Sequence, residues 1–343
     1  MTDIHIRKEG RIGRITLDRP HALNALSYDM GLAIEAALDD WAGDDAVACV
    51  LIDAQGDRAF CAGGDLQLMY DSASAGDFDY GRRFWRDEYR MNAKVFHFPK
   101  PYIAMMQGYT MGGGVGISCH GSHRVVGDTS RIAMPECAVG LVPDVGGSLI
   151  LARAPGMLGT YLGMTGHRMD AADAIHAGFA DYYIPEADWP ALTARLIDTG
   201  DWTQVDAMAR PAPASALAEQ AAIIDTAFAG QHAGDIVRAL PDTAWGAATR
   251  AAIGKGCPLS VACTVELVRR VRAFDDIRPA LQMEFRFTAR SASDGDFVEG
   301  IRAAIIDKDR APRWRHADVE AVPLSAVSAM LRPIAPPLTF EEA

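Results

Sequence analysis

The sequence predicts an α/β layered fold joined to a helical C-terminal region. Three observations carry that expectation. Strand-length apolar runs alternate with stretches of helical period up to about residue 185. Some of those runs, such as residues 47–53, are apolar up to a closing Asp53, as suits strands of a parallel sheet buried on both faces. Beyond residue 186 only Ala-rich helical stretches follow.

Taken in order, residues 4–17 read as a hairpin, with strands at 4–7 and 14–17 flanking Glu9-Gly10-Arg11. Ser27 is placed as the N-cap of a helix through Trp41, with Met30, Ile34, Ala37 and Leu38 on one face. The run at 47–53 is a strand, and 56–65 reads as a loop of small residues. Residues 78–97 suit a helix, punctuated by Pro99 and Pro101. Residues 102–106 form the next buried strand, 108–116 a glycine-rich turn into a helix, and 123–126 and 131–133 short strands. The later helical stretches fall at 188–199, 213–229, 242–252, 259–274 and 277–290, with a linker near 210–214. There is no internal repeat.

The chain has 343 residues and a formal charge of −12. Its 49% hydrophobic and 23% charged residues exclude a mainly disordered or fibrous chain. The acidic balance argues against a nucleic-acid partner. No tract has the length of a membrane-spanning helix, and the first residues lack an apolar signal-type run, so a membrane partner is not expected and a cytoplasmic location is. Six cysteines without a C-x-x-C pair read as buried thiols in a reducing compartment. Cys119-His120 and His123 offer too few ligands for a metal, so none is expected.

Two loops present small residues where backbone amides could meet a ligand. One is Phe60-Cys61-Ala62-Gly63-Gly64-Asp65, the other Met111-Gly112-Gly113-Gly114-Val115-Gly116. Two N–H groups converging on one carbonyl oxygen make an oxyanion hole, worth about 2.7–4 kcal/mol per donor. From spacing alone, these glycines equally well serve tight strand-to-helix turns. A dinucleotide fingerprint fails, because position 117 is Ile117. Glu88 falls on the apolar stripe Phe84, Glu88, Met91 and Val95, where a carboxylate is costly unless paired or functional. Arg83 or Arg90 could pair with it. Asp144, before Val145-Gly146-Gly147, suits an Asx-turn or N-cap, and Glu136 a loop carboxylate capping the helix near Gly146.

These motifs resemble the crotonase (enoyl-CoA hydratase/isomerase) superfamily over about residues 3–185. The resemblance is carried by Arg19-Pro20-His21-Ala22-Leu23-Asn24-Ala25-Leu26, the two glycine loops, Met134-Pro135-Glu136 and Gly140-Leu141-Val142-Pro143-Asp144-Val145-Gly146-Gly147, in family order and spacing. It implies a spiral of ββα units and an acyl-CoA thioester as substrate. It assigns the amides of Ala62 and Gly113 to the thioester oxygen. Hydratases of that family carry two glutamates. Here the first position is Gly116 and only the second, Glu136, is acidic.

The glutamate at 136 with Asp144 eight residues on is similar to the branch that hydrolyses 3-hydroxyisobutyryl-CoA in valine catabolism. Glu284-Phe285-Arg286, the segment from Asp296 to Ala303 and that from Ile306 to Trp314 resemble the same branch, as does Arg86-Asp87-Glu88-Tyr89. The resemblance thus implies hydrolysis of a short branched 3-hydroxyacyl-CoA thioester to the acid and CoA. Glu136 and Asp144 are then catalytic, and Glu88, Gly113, Glu136 and Asp144 contact substrate. The alternative is an enoyl-CoA isomerase or hydratase-like crotonase enzyme. No cofactor is implied, CoA being part of the substrate, and a homo-oligomer fits the family. Arg19, Arg302 and Lys308 are candidates for the CoA phosphates. The expected division is a core at 1–200, a helical region at 201–320 and a poorly ordered tail at 321–343.

Overall fold

The computed structural model describes residues 3–340. The chain divides into two compact units that are not contiguous in sequence: residues 1–64, 90–133 and 168–218, and residues 65–89, 134–167 and 219–343. The expected sequential division at residue 200 is therefore replaced by an interleaved one. Segments 65–89 and 134–167 group with the C-terminal helices because they bury their apolar residues there.

The first unit carries all the strands. These are β1 (Ile4–Glu9), β2 (Ile12–Leu17), β3 (Cys49–Ala54), β4 (Ala59–Cys61), β5 (Tyr102–Met106), β6 (Tyr109–Met111), β7 (His123–Val126), β8 (Arg131–Ala133) and β9 (Tyr182–Tyr183). They form a six-stranded sheet in the order β1-β2-β3-β5-β7-β9 and a three-stranded sheet in the order β4-β6-β8. Of the strand pairs among the described residues, only β1–β2 is antiparallel. Consecutive strands alternate between the sheets (β3 then β4, β5 then β6, β7 then β8), which is the ββα spiral the motifs implied. Strands β4 and β6 lie in stretches read from sequence as loop and turn. Three residues are too few to show an alternating pattern.

Alternate residues of the large sheet, Cys49, Leu51, Ile103, Met105 and Val125, pack on Leu192 and Leu196 of the helix Trp189–Thr199. Their neighbours Val50, Ile52, Ala104, Met106 and Val126 are buried too. Burial on both faces explains why these strands read as continuous apolar runs. The Ser27 hydroxyl caps the helix Tyr28–Ala42 by accepting from the Met30 N–H, as expected.

The second unit is helical. Its longest elements are Pro258–Val271 and Ile277–Ser291, with Gly147–Arg153 and Leu158–Thr165 between shorter pieces. The expected disordered tail is ordered through residue 340. A helix spans Leu324–Leu331 and buries Val327, Met330 and Leu331. Arg86 then donates to the carbonyls of Pro336 and Pro337. The composition signal of Pro and Ala missed these buried apolar residues. Residues 341–343 of that tail lie outside the described residues. Among the described residues, no single helix is long and apolar enough to cross a membrane.

Candidate active site

Both glycine loops belong to the first unit. Gly113 opens the short helix Gly113–Ser118, so its N–H has no carbonyl within the helix to meet. Gly112 before it has φ +50°, a conformation that favours glycine. A Cβ on Gly114 would collide with the Cys61 carbonyl, so the two loops touch through backbone. The expectation for Ala62 needs correction. Its N–H donates to the Leu23 carbonyl at 3.0 Å and is already engaged. The amides of Gly63 and Gly64, next in the loop, donate to no backbone carbonyl among the described residues. The available donor of this loop therefore lies in that glycine pair.

The carboxylates gather in the second unit. Pro135 ends the segment after β8, and Glu136 starts the 3-10 turn Glu136–Val139, closed by Gly140 at φ +77°. Asp144 precedes the helix Gly147–Arg153 and accepts a 2.7 Å hydrogen bond from the Tyr89 hydroxyl. Glu88 projects from the helix Asp79–Phe96, on whose stripe Phe84 and Met91 are also buried. Glu88, Glu136, Asp144 and Glu284 are 7%, 6%, 4% and 0% exposed, so all four are removed from water.

Burial pushes the carboxyl of Glu136 well above its ordinary value, and the charges of Asp144 and Glu284 add to it. Burial likewise raises Glu88, with Asp144 adding to the effect. It raises Asp144 as well, where the Tyr89 hydrogen bond works in the opposite direction. Glu284 is pushed up to about 8, chiefly by burial, against hydrogen bonds from Ser148 and Gly146 that favour its charged form. Like charges in a dry site cannot all ionise together, and groups with raised values are suited to acid–base work near neutral pH.

One oxygen of Glu136, Oε2, is buried with no hydrogen-bond partner among the described residues. Leaving a buried acceptor unmet costs about 1–3 kcal/mol, so an acceptor left open in a cluster of carboxyls marks a group held ready for something else. Glu136 does not cap the helix at Gly146. Glu284 does, accepting from the N–H groups of Gly146 and Ser148 at 2.9 and 3.1 Å and from the Ser148 hydroxyl. Arg90 is paired with Glu35 at 2.6 and 2.7 Å and is not the partner of Glu88.

Position 116 is a buried glycine whose N–H bonds Gly112, so no second carboxylate stands there. The six cysteines are buried, and none is joined in a disulfide. Burial pushes thiols such as Cys49 and Cys119 up to about 11, so neither supplies a thiolate near neutral pH. Arg302 is held by Glu299, Asp307 and Asp309, which removes it as a free cation for phosphate.

Sequence reasoning missed Glu284, Tyr89, Ser148 and Thr288 as parts of this cluster. The Thr288 Oγ1 lies 3.4 Å from the Tyr89 hydroxyl. Tyr89 had a usable signal, since it sits beside Glu88. Glu284 had little, because its partners are mainly backbone amides 136–138 residues away.

A family described as enoyl-CoA hydratase/isomerase matches residues 12–331. A relative named 3-hydroxyisobutyryl-CoA hydrolase, mitochondrial, from Gallus gallus is 35% identical over 97% of this chain and 89% of its own length. The one so named from Homo sapiens is 33% identical over 93% and 86%. Among solved structures, an enoyl-CoA hydratase from Rhodobacter sphaeroides 2.4.1 is 51% identical with a TM-score of 0.94, covering 99% of this chain and all of that one. A carnitinyl-CoA dehydratase from Mycobacterium thermoresistibile is 40% identical with a TM-score of 0.95, covering both chains completely.

Proposed function

The chain belongs to the enoyl-CoA hydratase/isomerase family, and on that premise we propose that it hydrolyses a short branched 3-hydroxyacyl-CoA thioester, 3-hydroxyisobutyryl-CoA, to the free acid and CoA. The observation that carries this reading is the buried Oε2 of Glu136, the acceptor left without a partner among the described residues. The names of the relatives from Gallus gallus and Homo sapiens support the same substrate.

The chemistry follows from the groups present. The thioester oxygen takes hydrogen bonds from the Gly113 amide and from the Gly63-Gly64 pair. Negative charge develops on that oxygen when the carbonyl carbon is attacked, and fixed amides stabilise it without reorganisation. Glu136 acts in one of two ways. Its carboxylate adds to the carbonyl carbon and expels the CoA thiolate, giving a mixed anhydride that water then cleaves. Alternatively, it takes a proton from water as that water adds to the carbon. Both routes need Glu136 ionised, and its raised value makes the ionised form a stronger base. Asp144 and Glu88 accept hydrogen bonds from the substrate 3-hydroxyl. A substrate lacking that hydroxyl leaves buried acceptors unmet and is rejected.

The test is release of free thiol from 3-hydroxyisobutyryl-CoA by the purified protein, with Glu136→Gln reducing it by about 10²–10⁴-fold. A fully active Glu136→Gln protein removes that residue from its role.

A second reading rests on the solved relatives titled hydratase and dehydratase. Position 116 weighs against it, because addition of water across a double bond is served in this family by paired carboxylates. Incubation with 2-enoyl-CoA and 3-enoyl-CoA separates the readings. Conversion of either without CoA release overturns the hydrolase.

A further inference from the structure

Glu284 sits on the helix Ile277–Ser291 with no exposed surface, and its carboxylate gathers three donors from one short turn. That turn is unusual. Val145 has φ +53° and Gly146 φ +79°, so two consecutive residues lie in the left-handed region. A β-branched residue adopts that conformation only when its surroundings impose it. Gly146 is the N-cap of the helix Gly147–Arg153 and has no side chain with which to cap it. Glu284 fills that role from a distant helix.

Asp144 is the residue immediately before this pair. Its carbonyl accepts from the Gly147 N–H at 2.7 Å, and its carboxylate accepts from Tyr89. One turn further along the Glu284 helix, Thr288 approaches the same Tyr89 hydroxyl. The helix therefore reaches both the backbone that carries Asp144 and the tyrosine that orients it. A serine or asparagine could cap a helix without adding charge. A carboxyl here stands close enough to Asp144 and Glu136 for their charges to oppose one another. Accepting that opposition makes sense where three donors must be held at once.

We propose that Glu284 is a positioning residue, which holds the Asp144-Val145-Gly146 turn in its left-handed form and so fixes the Asp144 carboxylate against Tyr89. This rests on the role given to Asp144 in hydrolysis. The clamp itself is a structural statement that stands or falls separately.

Two measurements on the full chain test it. The first is amide hydrogen exchange over residues 144–150, with no substrate present. Glu284→Ala should lose protection there while the peptides of β3 and β5 keep theirs. The second is kcat and KM for CoA release. Asp144 grips the substrate 3-hydroxyl, and a displacement of about 1 Å costs about a hundredfold, so Glu284→Ala should lower kcat/KM about that much. Combined with Asp144→Asn it should cost nothing beyond Asp144→Asn alone, because both changes remove one function. Glu284→Gln keeps a carbonyl acceptor and should recover part of both losses. Ser148→Ala, which deletes one donor, should show a smaller loss of each kind.

Unchanged exchange at 144–150 overturns the clamp. A kcat/KM loss that multiplies with that of Asp144→Asn overturns its catalytic meaning. Should Glu284→Ala not fold, Glu284→Gln and Ser148→Ala carry both comparisons. A wild-type protein that releases no CoA defeats the hydrolase reading, while exchange still decides whether Glu284 holds the turn.

Discussion

The glycine loops at residues 60–64 and 111–114 offer backbone amides, whereas the cluster of Glu88, Glu136, Asp144 and Glu284 offers side chains. In the loops, what matters is how closely two stretches of main chain approach, and side chains matter chiefly by being small. In the cluster, identity is everything, since each carboxyl is buried and that burial raises its value. The difference teaches that similar substitutions should act through different channels in the two regions. Loop changes should harm activity by distorting geometry. Cluster changes should alter the chemistry and its pH dependence while the fold persists.

The change expected to break this contrast most severely is Gly114→Ala. A Cβ there meets the Cys61 carbonyl, and neither backbone can yield without moving strand β4 or the helix Gly113–Ser118. Overpacking of this kind costs about 1–3 kcal/mol. Urea unfolding should show that loss, and CoA release should fall with it. A protein of wild-type stability and activity would mean that the loops are not held by close approach.

Asp144→Asn sharpens the comparison from the other side. Burial lifts the folded-state value of Asp144 above its ordinary 3.8. Between those two values the folded protein binds more protons than the unfolded chain, so the group's contribution to stability declines as pH rises. Asparagine carries no such dependence and still accepts from Tyr89. The melting temperature of Asp144→Asn relative to wild type should therefore rise from pH 5 to pH 8, while CoA release drops. A relative stability independent of pH would show that Asp144 ionises freely in the folded state.

These contrasts also explain what was legible in the sequence. Buried strands announced themselves through runs such as residues 102–106, and the Ser27 cap through its place before a helical stripe. Strands β4 and β6 did not, because three residues among glycines carry no period. Glu136 stood out as the one glutamate kept from a two-glutamate pattern, and Asp144 as the carboxylate eight residues after it. Glu284 did not, since within its helix it is an ordinary good helix former, and its task appears only when a turn far back in the chain is brought to it. Ala62 was assigned a role that the backbone had already filled through Leu23. Which amide of a loop is free depends on φ and ψ, and those are not written in a run of small residues.

The smallest expected effect follows from that correction. If Ala62 contributes its main chain to Leu23 and nothing to the thioester, then a modest side-chain change there should hardly register. Ala62→Ser keeps the N–H and adds only a hydroxyl at a half-buried position. Substitutions away from packing or charge networks usually stay within about 0.5 kcal/mol, which is about twofold in rate. CoA release by Ala62→Ser should remain within that range, and unfolding should be unchanged. A tenfold loss of kcat in a normally stable Ala62→Ser protein would show that the side chain of residue 62, and not only the main chain of this loop, stands against the reacting groups.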